Sequence, residues 1–128
     1  NMTRFLLRWG LPLFAAIGLG TGSAAAQDRP TVVLVHGAWA DGSCWSEVAG
    51  HLIDAGLNVV AVQNPLSSLE ADVATVRRVI DDQAGDVVLV GHSYGGVVIS
   101  EAGNHDKVRS LVYVAAFAPG PNQSVNAI

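Results

Sequence analysis

The sequence predicts an α/β fold, a three-layer sandwich built on a mainly parallel sheet. Four short runs rich in Val or Leu, Thr31–Val35, Asn58–Val62, Asp86–Val90 and Arg109–Ala115, lack apolar–polar alternation. Strands read this way when helices cover both faces of a parallel sheet. Stretches with helical spacing separate the runs, so the order is strand, helix, strand, helix, strand, helix, strand. Alternation of this kind implies right-handed crossovers. The third run also leads straight into a glycine-flanked serine, a turn that this architecture uses for chemistry.

The N-terminal stretch stands apart. Arg4 and Arg8 precede the apolar run Leu11–Leu19, and Thr21–Gln27 ends in an Ala-x-Ala pattern. A basic start, a short apolar core and small residues describe a secretory signal peptide over residues 1–26, cleaved after Ala26. A spanning helix needs about 20 predominantly apolar residues, and this run is shorter and broken by Pro12. The expected location is secreted or periplasmic, without stable membrane insertion after cleavage. Met2 reads as the natural start of that signal, with Asn1 before it, so the sequence reads as a translated fragment.

Residues 27–128 suffice for one small domain. The whole chain carries 7 basic and 11 acidic residues, a formal charge of −4, and without Arg4 and Arg8 the balance becomes more acidic. No basic cluster offers an electrostatic footprint for nucleic acid. Cys44 is the only cysteine, which excludes an internal disulfide and a cysteine zinc site.

Within the domain, Thr31–Val35 is the first strand and Ser46–Ala55 the first helix, closed by Gly56. Asn58–Val62 follows as the second strand. From Leu69 to Ile80 the apolar positions are Leu69, Val73, Val76, Val79 and Ile80, with Asp72, Arg77, Asp81 and Asp82 elsewhere. That spacing is helical, and Ser68 is placed to cap the N-terminus. Asp86–Val90 is the third strand, Tyr94–Ala102 the third helix, closed by Gly103, and Arg109–Ala115 the fourth strand. Pro119–Ser124 reads as a turn or loop. Sites in open α/β sheets form beyond the carboxyl ends of the strands, so the loops of interest are 36–43, 63–67, 91–96 and 116–120.

Two of those loops carry chemistry. In Gly91-His92-Ser93-Tyr94-Gly95-Gly96, a sharp strand-to-helix turn pushes the central side chain out at the sheet edge. Small flanking residues let the turn close, and the following helix presents its positive end to Ser93. Ser93 is therefore the candidate nucleophile; the plainer reading is a helix-capping serine. Acyl transfer also needs two backbone N–H donors aimed at the oxyanion. Tyr94 supplies one and Ala38, in Val35-His36-Gly37-Ala38-Trp39, the other, with Gly37 allowing close approach. His36 reads first as a loop-ordering histidine bonded to backbone, and with Trp39 it is a candidate for lining the substrate pocket. Trp45 could line the same pocket or pack the loop, and Pro65-Leu66 could add a wall. Cys44, with no histidine partner evident, reads as packing.

Val33–Trp39, Gly91–Gly96 and Leu111–Pro119 together resemble the α/β-hydrolase superfamily, in the branch of bacterial esterase-like proteins, plant methyl esterases and hydroxynitrile lyases. The resemblance runs from about Thr31 to the end of the chain. It implies a serine nucleophile, no cofactor, a small-molecule ester substrate and a cap inserted after the fourth strand. It makes residues 27–128 the N-terminal half of such a domain, an incomplete fold. It also implies an acid and then a histidine later in the chain. Here no Asp or Glu follows Asp106 and no His follows His105.

The histidines present do not substitute. About eleven residues of helix at 1.5 Å each carry His105 roughly 16 Å from the serine. His51 descends in its own helix, and His92 leaves the tight turn in another direction. His36 is at the right edge with only Asp41 nearby as an acid. A serine hydroxyl without a base is a poor nucleophile, so the chain as written is expected to be nearly inactive. Three functions follow: carboxylic-ester hydrolysis through an acyl-enzyme, carbon–carbon cleavage of the hydroxynitrile-lyase kind, or a non-catalytic remnant.

Overall fold

The structure is a computed structural model that describes residues 29–120 and Gln123. The signal peptide expected over residues 1–26 lies outside the described residues.

Strand β1 (Thr31–Val35) is followed by a 3₁₀ turn (Gly42–Trp45) and helix α1 (Ser46–Asp54). Strand β2 (Asn58–Ala61), helix α2 (Leu69–Asp81), strand β3 (Val87–His92), helix α3 (Gly95–Ala102) and strand β4 (Val108–Val114) complete the order. The sheet runs β2-β1-β3-β4 with every pair parallel. The chain builds outward from β1 to β2 and then crosses back to place β3 on β1's other side. The carboxyl ends of β1 and β3, paired as Val35 with Gly91, therefore form the topological switch point where loops diverge and leave a crevice.

Helices cover both faces. Val33 and Val35 of β1 point with Val87 and Leu89 of β3 into a core closed by Val76 and Ile80 of α2 and Val98, Ile99 and Ala102 of α3. Val32 and Leu34 point the other way, against Trp45 and the partly buried Ala49 and Leu52 of α1. This explains why β1 shows no apolar–polar alternation from Val32 to Val35: all five residues of the strand are buried.

Strand β4 departs from that expectation. Val112, Tyr113 and Val114 are about 40% exposed (42%, 38% and 41%); β4 lies at one edge of the sheet, and no described strand pairs with its outer side. Its start is irregular too. The partners of Val87 and Val88 are Val108 and Ser110, so Arg109 is an extra, unpaired residue, as in a β-bulge. Its Nε donates to Asp86 Oδ2 at 2.8 Å. Ser68 caps α2 as its type suggests, accepting from the Ala71 amide at 3.1 Å.

Candidate active site

The turn between β3 and α3 holds Ser93 at φ 53°, in the left-handed region. Non-glycine residues rarely occupy it, and when they do the conformation is held by the surroundings. Here the surroundings are backbone. A Cβ at Gly91 would come within 2.6 Å of the Gly95 carbonyl oxygen, and one at Gly95 within 2.5 Å of the Val35 oxygen. The two flanking positions are thus wedged, one inside the turn and one against β1. The Ser93 carbonyl accepts from the Gly96 amide at 3.0 Å and from the Phe117 amide at 3.2 Å, which ties the turn to the segment leaving β4.

The loop after β1 lies directly against this turn. A Cβ at Gly37 would sit 3.0 Å from Ser93 Cβ and 3.2 Å from the His92 oxygen. Among the described residues, neither the Ala38 nor the Tyr94 amide donates to a backbone carbonyl. Both residues line one cavity of about 320 Å³ with Trp39, Leu66, Ser67, Ser68, Leu69 and Asp72. Trp39 (φ 57°) and Leu66 (φ 55°) stand at it with left-handed backbones, and Trp39 is fully exposed.

His36 does not line that cavity. Its side chain is fully buried, with Nε2 accepting from the Asn64 amide at 3.0 Å and Nδ1 2.8 Å from the Gly37 carbonyl oxygen. A backbone amide can only donate, so Nε2 carries no proton and Nδ1–H donates to Gly37. Both nitrogens are used in tying the β1 loop to the β2 loop, and neither is left to touch a substrate. The His36 side chain, a candidate for lining the substrate pocket, is instead buried between the two loops. Trp45 is likewise placed in the core behind the sheet, 6% exposed, with its ring edge-on to His92 at 6.3 Å.

The other histidines are accounted for. His105 is at the amino end of β4, with Nε2 2.9 Å from Asp81 Oδ1 and Nδ1 accepting from the Lys107 amide. His51 is exposed on α1, 4.0 Å from Glu47. None of these arrangements brings an imidazole onto the Ser93 hydroxyl. Cys44 is exposed; partial burial, then the Asp41 carboxylate, pushes its thiol above the usual range, away from nucleophilic thiolate character. Among the described residues no group of three or more His, Cys, Asp or Glu side chains could hold a metal ion.

One site residue escapes the pattern reading. Asp72, grouped above with the polar positions of its helix, is fully buried. Its Oδ2 accepts from the Tyr94 hydroxyl and its Oδ1 from the Leu66 amide, each at 2.8 Å. Partial burial and the Asp72 hydrogen bond push the Tyr94 phenol far above its ordinary range, so it stays a donor. A signal was present: residues 72, 76 and 80 fall at i, i+4 and i+8, one helical row, and Val76 and Ile80 are both core. A charge on that row marks a buried polar contact.

A sequence model described as the alpha/beta hydrolase family matches residues 32–127. A carbendazim-hydrolyzing esterase from Nocardioides sp. is 40% identical over 110 residues, covering 75% of this chain and 46% of the relative. Methyl jasmonate esterase 1 of Vitis vinifera is 32% identical over 111 residues, covering 75% of this chain and 42% of the relative. Among solved structures, an extracellular α/β-hydrolase from a Paenibacillus species superposes with a TM-score of 0.69 at 32% identity, covering 76% of this chain and 45% of that one. The chain thus spans less than half the length of these relatives. With the parallel sheet, the serine turn at its switch point and the matched span together, the chain belongs to the alpha/beta hydrolase family.

Proposed function

We propose that the protein is a serine hydrolase that cleaves small carboxylic esters through an acyl-enzyme on Ser93. The observation that carries this is the left-handed Ser93 at the β3–α3 turn, with the Gly37 backbone against it and two amides, Ala38 and Tyr94, that donate to no backbone carbonyl among the described residues. Ser93 Oγ attacks the ester carbonyl carbon while its proton passes to a base. The Ala38 and Tyr94 amides hold the oxyanion. The intermediate collapses, the C–O bond to the alcohol breaks, and the alcohol leaves with the proton. Water then attacks the acyl carbon and frees Ser93. The cavity beside Trp39 and Leu66 suits the apolar part of the substrate.

No described histidine is placed to serve as the base, so in this mechanism the base is a group outside the described residues. The esterase activity named for the relatives supports the reaction class. Secretion or export to the periplasm, with cleavage after Ala26, belongs to the same proposal and rests on residues 4–27 alone. The test is Ser93→Ala in the protein as its gene encodes it, assayed on p-nitrophenyl acetate. Turnover is expected to vanish; turnover that persists overturns the assignment.

A further inference from the structure

The Asp72–Tyr94 contact lies next to the nucleophile and has no part in the chemistry above. Asp72 is on α2, while Tyr94 belongs to the turn that precedes α3. The two Asp72 oxygens accept from the Tyr94 hydroxyl and from the Leu66 amide. The ion pairs among the described residues are Glu47–His51, Asp81–His105 and Asp86–Arg109, so no cation accompanies Asp72. A carboxylate buried on an apolar row without a counter-charge is a poor choice for stability alone, since an apolar side chain of similar volume is often neutral or better there.

What it does achieve is a three-way tie. Leu66 closes the cavity from the β2 side in a left-handed conformation. Ser93 and Gly95, the neighbours of Tyr94, are fixed by the turn and by β1. The direction of the Tyr94 N–H depends on the torsions on either side of it, and the anchored phenol holds that residue at its far end. We propose that Asp72 is a positioning residue: through the Tyr94 hydroxyl it aims the Tyr94 amide at the oxyanion, and through the Leu66 amide it sets the facing wall of the pocket. This rests on the hydrolase reading of Ser93 and names the device that preorganises its oxyanion site. An oxyanion donor acts only in the transition state, so loosening it lowers kcat with little change in KM.

The test compares Tyr94→Phe, Asp72→Asn and the double variant with the parent on p-nitrophenyl acetate, using the protein as its gene encodes it, with thermal unfolding measured alongside. Tyr94→Phe keeps the ring and removes only the hydroxyl, so it decides the matter if Asp72→Asn fails to fold. Each single variant is expected to lower kcat by about tenfold, a fraction of the loss from deleting a whole oxyanion donor, with KM within about twofold. The double variant is expected to be no slower than the worse single one, because both break one link. A Tyr94→Phe enzyme with kcat within about twofold of the parent, or losses that multiply in the double variant, overturns the proposal while leaving Ser93-dependent turnover intact. Turnover by the parent that survives Ser93→Ala overturns the hydrolase reading instead, and the positioning role with it.

Discussion

Substituting Ser93 by glycine and by alanine separates two demands made on one residue. Both variants lose the hydroxyl, and neither should turn over ester. They differ in backbone, because Ser93 sits at φ 53°. A residue with a Cβ is disfavoured there by about 1–2 kcal/mol, and glycine is not. Glycine gives back about 0.4–1 kcal/mol through the greater freedom of its unfolded chain. The difference leaves the Ser93→Gly variant more stable than Ser93→Ala by about 1 kcal/mol. Buried Trp45, in edge contact with His92 beside the turn, provides a fluorescence reporter for urea unfolding. With a urea slope of about 2 kcal/mol per molar, the Ser93→Gly midpoint should lie about 0.5 M above that of Ser93→Ala at unchanged slope. Ala74→Gly, at an exposed position within α2, is the control, and it should lose about 1 kcal/mol as helix-interior glycines do. Equal midpoints for the alanine and glycine variants, or the reverse order, would refute the claim that the fold holds Ser93 under backbone strain.

Two further predictions concern contacts away from Ser93. His36→Leu removes the partner of both the Asn64 amide and the Gly37 carbonyl. Leaving two buried backbone groups unpaired should cost about 2–4 kcal/mol of stability, read as a fall in Tm; a loss no larger than that of a surface substitution would contradict the buried tie. The Asp86 carboxyl is held below the usual carboxylate range, first by the hydrogen bond from Arg109. A depressed folded-state value means the contribution is present above the unfolded value near about 3.9 and is lost as pH falls below it. The parent should therefore lose slightly more stability than Asp86→Asn between about pH 5 and pH 2.5, the gap being small because the pair is half exposed. Parallel urea midpoints for the two proteins over that window would count against the contact.

Much of this fold is legible in local pattern. A Val- and Leu-rich run without alternation such as Thr31–Val35 has one economical place, a central strand covered on both faces, and β1 occupies it. The strand–Gly-x-Ser-x-Gly–helix sequence likewise demands a tight left-handed turn at its serine. Strand β4 reads the same way as β1 but lies at the edge, since hydropathy reports what a run could bury, not which neighbours are there to bury it.

The sequence by itself determined the class of fold, the element order and the turn that presents Ser93, because each rests on spacings of a few residues and on the sterics of glycine. Only the tertiary structure decided which strand lies beside which, that His36 closes a bond to Asn64 28 positions away, and that Asp72 meets Tyr94 across 22. Those contacts come from packing α2 and the β1 and β2 loops around one sheet end. Periodicity marks the buried face of a helix, whereas the polar group awaiting an acid on that face belongs to another element.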